Sequence, residues 1–154
     1  MAQLGWLPVI GILFSLAVPA GDSGGARAQV IGGTESSVPV KGHVRIDLTG
    51  VDALALRFDK EQLRIPYIKI NTVEYGQSVS RRYIEAVVFS PVFLLSKNHK
   101  HFVTLGFVDA DGRQQALVFR VGKGDIRGLL TGLEARTGRR VEYQDDEARK
   151  AGKG

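Results

Sequence analysis

The three histidines are the side chains of this sequence best suited to bind a metal or to transfer a proton. His99 and His101 are two residues apart, so on a strand both imidazoles lie on one face and can share a metal ion. No third ligand is near them in the sequence, and Lys97 and Lys100 repel a cation. His43 stands alone, opposite an apolar strand face. We therefore expect no metal site and interpret the histidines as structural or solvent-exposed.

Ser23 is the candidate nucleophile in the most suggestive surroundings. Residues 21–25 spell Gly-Asp-Ser-Gly-Gly, the sequence around the nucleophile of trypsin-like serine proteases, and Val-Ile-Gly-Gly follows at 30–33. That chemistry needs a histidine base and an orienting aspartate, which precede the serine by long stretches in those enzymes. Here only an apolar leader precedes Ser23. Carboxylates elsewhere are scattered singly, so no pair suggests acid–base catalysis. The sequence predicts no enzyme.

Residues 122–128 form a Gly-x-Gly-x-x-x-Gly loop between a predicted strand and a predicted helix. A dinucleotide loop occurs in this context, but it also requires a βαβ unit, and only one helix is clearly indicated. Asp125 would place a carboxylate where a pyrophosphate should bind. We interpret the loop as a tight connection with Asp125 as the helix N-cap, and we expect no cofactor.

Composition excludes several further classes of protein. The 154 residues suffice for about one domain, 44% of them are apolar, and none is cysteine, which excludes disulfides and Cys-ligated zinc. The formal net charge of +5 favours anionic partners. The basic residues form small clusters that are not interleaved with aromatic residues, so we expect no nucleic-acid partner.

The N-terminal residues indicate export. An uncharged apolar run extends over residues 4–20, and Ala26-Arg27-Ala28 has the small-x-small form that signal peptidase accepts. Val18-Pro19-Ala20 is a second candidate cleavage site. We predict a signal peptide over residues 1–28 and a periplasmic or extracellular location. An uncleaved membrane anchor through residues 4–20 stays open, since a spanning helix needs about 17–25 residues.

The rest of the chain indicates a linker, one domain and a tail, at residues 29–41, 42–144 and 145–154. The linker is rich in small residues and the tail is charged and expected to be flexible. Apolar alternation predicts strands at 43–48, 54–58, 63–67 and 70–75 and a hairpin of 102–109 with 114–121 around Asp111-Gly112. Pro66 should end its strand or mark an edge. A helical stripe of Ile126, Leu129, Leu130 and Leu133 follows, ended by Gly138.

Two stretches resemble the bacterial pleckstrin-homology-like (PH-like) and GRAM-like domains. They are FDKEQLRIPYIKINTVEYG at 58–76 and DADGRQQALVFRVGKGDIRGLLTGLEARTG at 109–138. The resemblance implies a mainly β fold: a bent antiparallel sandwich or barrel of six to seven strands, with a C-terminal helix plugging its open end. It also implies a binding or scaffolding module. The basic loop of phosphoinositide-binding members is replaced by residues 49–52, which contain no Lys or Arg, so we do not expect that route of binding.

The apolar run Tyr83–Leu95 has one charge, Glu85, and is too short to span a bilayer. It is either a buried strand or short helix, or an interfacial segment that docks on lipid or on a partner. In the second interpretation the interaction surface comprises Arg81, Arg82, Phe89, Phe93, Lys97 and Lys100. The sequence thus favours a non-enzymatic cell-envelope module that engages a partner protein or an anionic membrane surface. The alternative is a small exported enzyme with an unrecognised site.

Overall fold

Short strands with alternating apolar residues account for most of the regular structure. The computed structural model describes residues 25–40, 42–79, 88–89, 100–144 and 146–153. The strands are β1 (Ala26–Gly33), β2 (His43–Asp47), β3 (Ala53–Arg57), β4 (Gln62–Pro66), β5 (Ile70–Gly76), β6 (Val88–Phe89), β7 (His101–Val108), β8 (Gln114–Val121) and β9 (Glu142–Tyr143). A 3-10 helix spans Tyr67–Lys69, and two α-helices follow β8, α1 (Ile126–Thr137) and α2 (Asp146–Lys153).

The strands form one mixed sheet in the order β4-β3-β2-β1-β8-β7-β5-β9, and β6 pairs with β1. Successive hairpins join β1 to β4, and antiparallel pairing of β1 with β8 connects this meander to β5, β7 and β8. Only β9 is parallel to its neighbour, β5, among the described pairs. Because β4 and β9 are the two ends of this path, the sheet does not close into a barrel. The mainly β class is confirmed.

Local features of the sequence agree with these elements. The hairpin of β7 and β8 turns at Gly112, whose φ of 79° is favourable only for residues without a bulky Cβ. β4 ends at Pro66, which cannot donate a hydrogen bond to a neighbouring strand. In α1 the residues of the predicted stripe are buried, and Gly138 (φ 68°) ends the helix by donating its N–H to the Glu134 carbonyl at 2.9 Å.

Asp125 lies at the N-cap position of α1, but its side chain does not cap the helix. Its Oδ2 instead accepts a hydrogen bond from the backbone N–H of Arg27 at 3.2 Å. The last residue of β8, Val121, lies opposite Ala28, so β8 ends one residue short of Arg27. The carboxylate therefore replaces a missing strand partner and ties the start of α1 to β1.

The predicted linker and flexible tail differ from the structure. Residues 29–33 are the second part of β1, a central strand, and Val30 is fully buried. Residues 146–153 form α2, in which Ala148 and Gly152 are buried. A Cβ on Gly152 would lie 2.7 Å from a ring carbon of Tyr143, which explains how a charged helix packs closely through its small residues.

The sheet has apolar residues on both faces. The main core lies on its inner face and includes the α1 stripe together with residues of β1–β5, β7 and β8. A smaller cluster occupies part of the outer face and consists of Ile31, Val79, Phe102, Ala116 and Val118. Among the described residues no helix is long and apolar enough to cross a membrane.

Candidate anion-binding site

Three arginines lie side by side on three neighbouring strands. Arg27 of β1 is directly opposite Arg45 of β2, and Arg45 is directly opposite Arg57 of β3. Directly opposite residues share a face of the sheet, and neighbouring strands are about 4.8 Å apart. The three side chains therefore form one row across the outer face, which we call the arginine row.

The apolar residues next to the arginines in each strand determine the face of the sheet to which the arginine side chains point. Ala28, Val44, Ile46 and Leu56 alternate with the arginines and are buried in the main core. Since side chains of a strand point to opposite faces in turn, burying these residues forces the arginines outward. The inner core thereby positions the row.

The row lines a shallow recess of about 430 Å³. Its lining residues are Arg27, Ala28, His43, Val44, Arg45, Arg57, Phe58 and Asp59. Arg27, Arg57 and His43 are exposed, whereas Arg45 is half-buried at the centre of the row. The lining thus contains three guanidinium groups and one carboxylate.

Asp47 orients one end of the row. Its carboxylate accepts hydrogen bonds from the Thr49 hydroxyl at 2.6 Å and the Thr49 N–H at 2.8 Å, and forms a 2.7 Å ion pair with Arg57. The Thr49 hydroxyl bond is the largest cause that holds the pKa of this carboxyl below its ordinary value, and Arg57 contributes as well. Asp47 is only 2% exposed, so it is a buried anchor for Arg57.

The row is suited to binding an anion. Like charges directly opposite one another in a sheet are destabilising, by up to about 1 kcal/mol for each pair. Each guanidinium is a planar fork that can donate two parallel hydrogen bonds to a carboxylate or phosphate. An anion held between such forks would remove the repulsion. Among the described residues that line the recess there is no hydroxyl or thiol group.

The predicted interaction surface falls mostly outside the described residues. Arg81, Arg82, Phe93 and Lys97 all lie there. Phe89 belongs to β6, whose backbone pairs with Gly32 and Gly33 of β1. Lys100 immediately precedes β7 and is half-buried.

The histidines do not form a site in the described part of the chain. His101 begins β7, and its Nδ1 lies 2.5 Å from the Tyr75 hydroxyl. Burial lowers the pKa of His101 below its ordinary value, and the nearby Lys123 charge contributes. His99 is outside the described residues, and within them no group of three or more His, Asp or Glu side chains could hold a metal.

The sequence contained part of the signal for the arginine row. Arg45 and Arg57 occupy polar positions of strands that alternation predicts correctly. Arg27, however, lies in the segment that resembles a signal-peptidase site, and it is a strand residue only because β1 is inserted between β2 and β8. The alignment of the three arginines becomes evident only when the pairing of β1, β2 and β3 is known.

Comparison with known proteins adds no assignment. No protein-family model matches the chain, and no curated protein matches its sequence.

Proposed function

We propose that this protein is a non-enzymatic binding or scaffolding module of the cell envelope, with PH-like architecture, that engages an anionic partner. The order of elements supports the architecture: a four-strand meander (β1–β4), a second group of strands (β5, β7 and β8), and then α1 on the inner face. β9 and α2 are additions after that helix. The partner is a protein with an acidic segment or an anionic membrane surface.

The arginine row is the observation that carries this proposal. The three guanidinium groups lie on neighbouring strands, where like charges repel one another, and Asp47 forms an ion pair with Arg57 at one end of the row. A carboxylate- or phosphate-bearing partner would bind at the exposed Arg27, with the positive charge of the half-buried Arg45 beside it. Binding through such contacts should be sensitive to salt, because both arginines are at least partly exposed.

Thermal unfolding in the presence of poly-L-glutamate and, separately, inorganic polyphosphate tests the proposal. A ligand that binds only the folded protein raises the midpoint of unfolding with its concentration. We expect such a rise for the wild type and a much smaller one for Arg45→Gln. Arg139→Gln is the matched control, since Arg139 is exposed beyond the end of α1 and outside the recess. Equal responses of Arg45→Gln and Arg139→Gln would show that net charge, not the row, attracts the polyanion.

The predicted surface at residues 81–101 stays a separate prediction. β6, which consists of Val88 and Phe89, pairs with Gly32 and Gly33 of β1, the residues that follow Ile31 of the outer-face cluster. If the apolar run is a buried strand, this pairing is where it joins the sheet. If the run docks on lipid instead, Arg81→Glu/Arg82→Glu should weaken binding to anionic vesicles without unfolding the domain. Phe93→Asp distinguishes a buried segment from a lipid-docking segment. It should unfold the domain if the segment is buried, and it should only weaken vesicle binding if the segment is exposed.

A further inference from the structure

Two large apolar side chains are exposed on adjacent segments at one end of the β1–β4 meander. Among the described residues, Val51 is 82% exposed and Ile68 is 87% exposed. Val51 lies in the turn between β2 and β3, and Ile68 lies in the 3-10 helix after β4. The Tyr67 N–H donates to the Asp52 carbonyl at 3.0 Å, so each of the two apolar residues is one position away from this bond. We call Val51 and Ile68 the apolar tip.

Hydrogen bonds hold both segments that carry the apolar tip. At the start of the turn, the Asp47 carboxylate accepts bonds from the N–H and the hydroxyl of Thr49. Tyr67, the residue before Ile68, is buried and donates its hydroxyl to the Leu48 carbonyl at 3.1 Å. Because both segments are anchored in this way, the exposure of the two apolar side chains is a property of the fold.

Cationic side chains flank the apolar tip. Lys69 follows Ile68 and is exposed. α1 packs against the 3-10 helix and carries the exposed Arg136 near its end. Burial raises the pKa of Tyr67, and the nearby positive charge of Arg136 opposes that rise. Asp52 is the only acidic residue in the turn and in the 3-10 helix. The tip therefore has an apolar centre and a net positive edge.

A lipid surface fits this arrangement. Side chains that protrude this far offer no concavity for a partner's side chain, but they can pass between lipid headgroups into the acyl boundary. Cationic neighbours are attracted to anionic headgroups at the same depth. We infer that the apolar tip inserts into the interface of an anionic bilayer, with Lys69 and Arg136 against its headgroups. This surface uses no residue of the arginine row, so the inference goes beyond the proposed function and does not depend on it.

Several modest contributions act together at the tip. Burying an aliphatic side chain of this size favours the bound state by about tenfold or more. Each basic residue near an anionic surface adds about fivefold, and salt screens that part. Because independent contributions multiply, insertion of the tip should require both its apolar side chains and its cations.

A dye attached at the tip tests the inference with the full chain. Because the protein contains no cysteine, Val51→Cys takes a single environment-sensitive dye. Gln62→Cys is the matched control, since Gln62 is exposed at the far end of β4 from the tip. The vesicles consist of phosphatidylcholine with or without phosphatidylglycerol, and the measurement is the fraction of dye shielded from acrylamide. This readout reports on the labelled residue itself, however the rest of the chain associates with the vesicle.

We expect the dye at residue 51 to be shielded, with its emission shifted to the blue, in vesicles that contain phosphatidylglycerol. The dye at residue 62 should stay accessible to acrylamide in the same vesicles. Ile68→Ser should lower the ratio of shielded to accessible dye at residue 51 by about tenfold. Since Ile68 is exposed, this substitution should leave the thermal unfolding midpoint unchanged.

The cationic edge is tested with Lys69→Gln/Arg136→Gln. This double variant should lower the same ratio by about 25-fold in anionic vesicles, the product of two fivefold effects. Lys60→Gln/Arg127→Gln is the control with the same change in net charge, because both residues are exposed away from the tip, in the turn before β4 and in the first turn of α1. It should retain the shielding.

Shielding of residue 51 that is equal in neutral and anionic vesicles, or unchanged in Ile68→Ser, overturns the inference. Shielding that develops without vesicles as the protein concentration rises also overturns it, because a second copy of the chain then covers the tip. The polyanion assay on Arg45 involves none of these residues, so the inference and the proposed function can fail separately.

Discussion

On the outer face of the sheet, the surface around the start of β1 is basic, whereas the surface around its end is apolar. Toward its start, Arg27 and Gln29 point outward beside the arginines and His43 of the neighbouring strands. Toward its end, Ile31 joins Val118 in a buried apolar cluster. The register shift between Val30 and Gly32 separates the two ends. Between them Arg120 donates a hydrogen bond to the Gln29 side-chain oxygen.

The two ends of this face differ in burial and in charge. The apolar end is already buried, and β6 pairs with β1 at Gly32 and Gly33 beside it. The basic end remains accessible, with Arg27 and Arg57 exposed. Burial at one end adds stability, whereas like charges lie side by side at the other. Substitutions at the two ends should therefore affect stability in very different ways.

Removal of the start of β1 should have the largest effect. A chain that begins at Gln29 lacks the Ala28 side chain of the core and the bond from the Arg27 N–H to Asp125. It also loses three of the four residues of β1 that pair with β2. We expect this chain not to unfold cooperatively, whereas one that begins at Gly21 should, as measured by circular dichroism during urea denaturation. The N-terminal residue of protein from its native host, determined by mass spectrometry, should accordingly not be Gln29.

Val118→Asp should destabilise the apolar end by more than about 3 kcal/mol. Val118 is fully buried in the outer-face cluster, and a carboxylate there would have neither water nor a cation provided for it. His43→Asp, at the exposed basic end, should change the free energy of unfolding by less than about 0.5 kcal/mol. Similar urea midpoints for the two variants would mean that the two ends do not differ in burial.

Leu130→Ala measures how much a buried side chain on the inner face contributes to the free energy of unfolding. Leu130 is 2% exposed on α1, and truncation of such a residue costs about 2–5 kcal/mol. Arg127→Ala, one turn away on the exposed side of α1, should cost little. If both variants keep the wild-type denaturation midpoint, α1 does not close the core as described.

Much of the sheet could be predicted because its strands are set by local alternation. The bounds of β8 and the stripe of α1 follow from the period of their apolar residues, and the β7–β8 turn follows from Asp111-Gly112. β1 could not be predicted, because Gly32 and Gly33 resemble a loop. A Cβ on Gly33 would lie 2.6 Å from Cδ2 of Leu117, so the glycine fits a close approach of strands that sequence alone does not show.

The C-terminal elements were missed for a similar reason. β9 is only two residues long and is held by its neighbours, since the Gln144 N–H bonds to the Tyr75 carbonyl at 3.2 Å and its side chain donates to Glu74 at 3.1 Å. α2 buries the small residues Ala148 and Gly152, whereas an amphipathic helix is recognised in a sequence by regularly spaced large apolar residues. The arginine row requires the pairing of β1 with β2, so it could not be predicted from the sequence either.

His101 should make the stability of the inner face depend on pH. Its pKa is lowered in the folded protein, chiefly by burial, so the unfolded chain binds the proton more readily. This contribution to stability is complete above the ordinary pKa of 6.5 and is lost as the pH falls from there through the folded value. Urea denaturation at a series of pH values should show this decrease in the wild type and a flatter profile in His101→Asn. Tyr75→Phe should lower stability but keep the pH dependence, because burial persists without the hydrogen bond.

Arg45→Gln should have the smallest effect on stability and the opposite sign. It removes the central charge between Arg27 and Arg57, and like charges directly opposite each other cost about 0.2–1 kcal/mol. That gain is offset by lost packing of the half-buried arginine stem, against which Gly25 lies, and by loss of the interaction that the Arg45 side chain makes. We expect a free energy of unfolding that is unchanged or raised by up to about 0.5 kcal/mol in low salt, with the difference shrinking as salt screens the row. Arg139→Gln, measured in parallel, should show no such salt-dependent gain. A clear loss of stability in Arg45→Gln would mean that this arginine is a structural member of the sheet, and the contrast between a stabilising and a binding end of β1 would then fail.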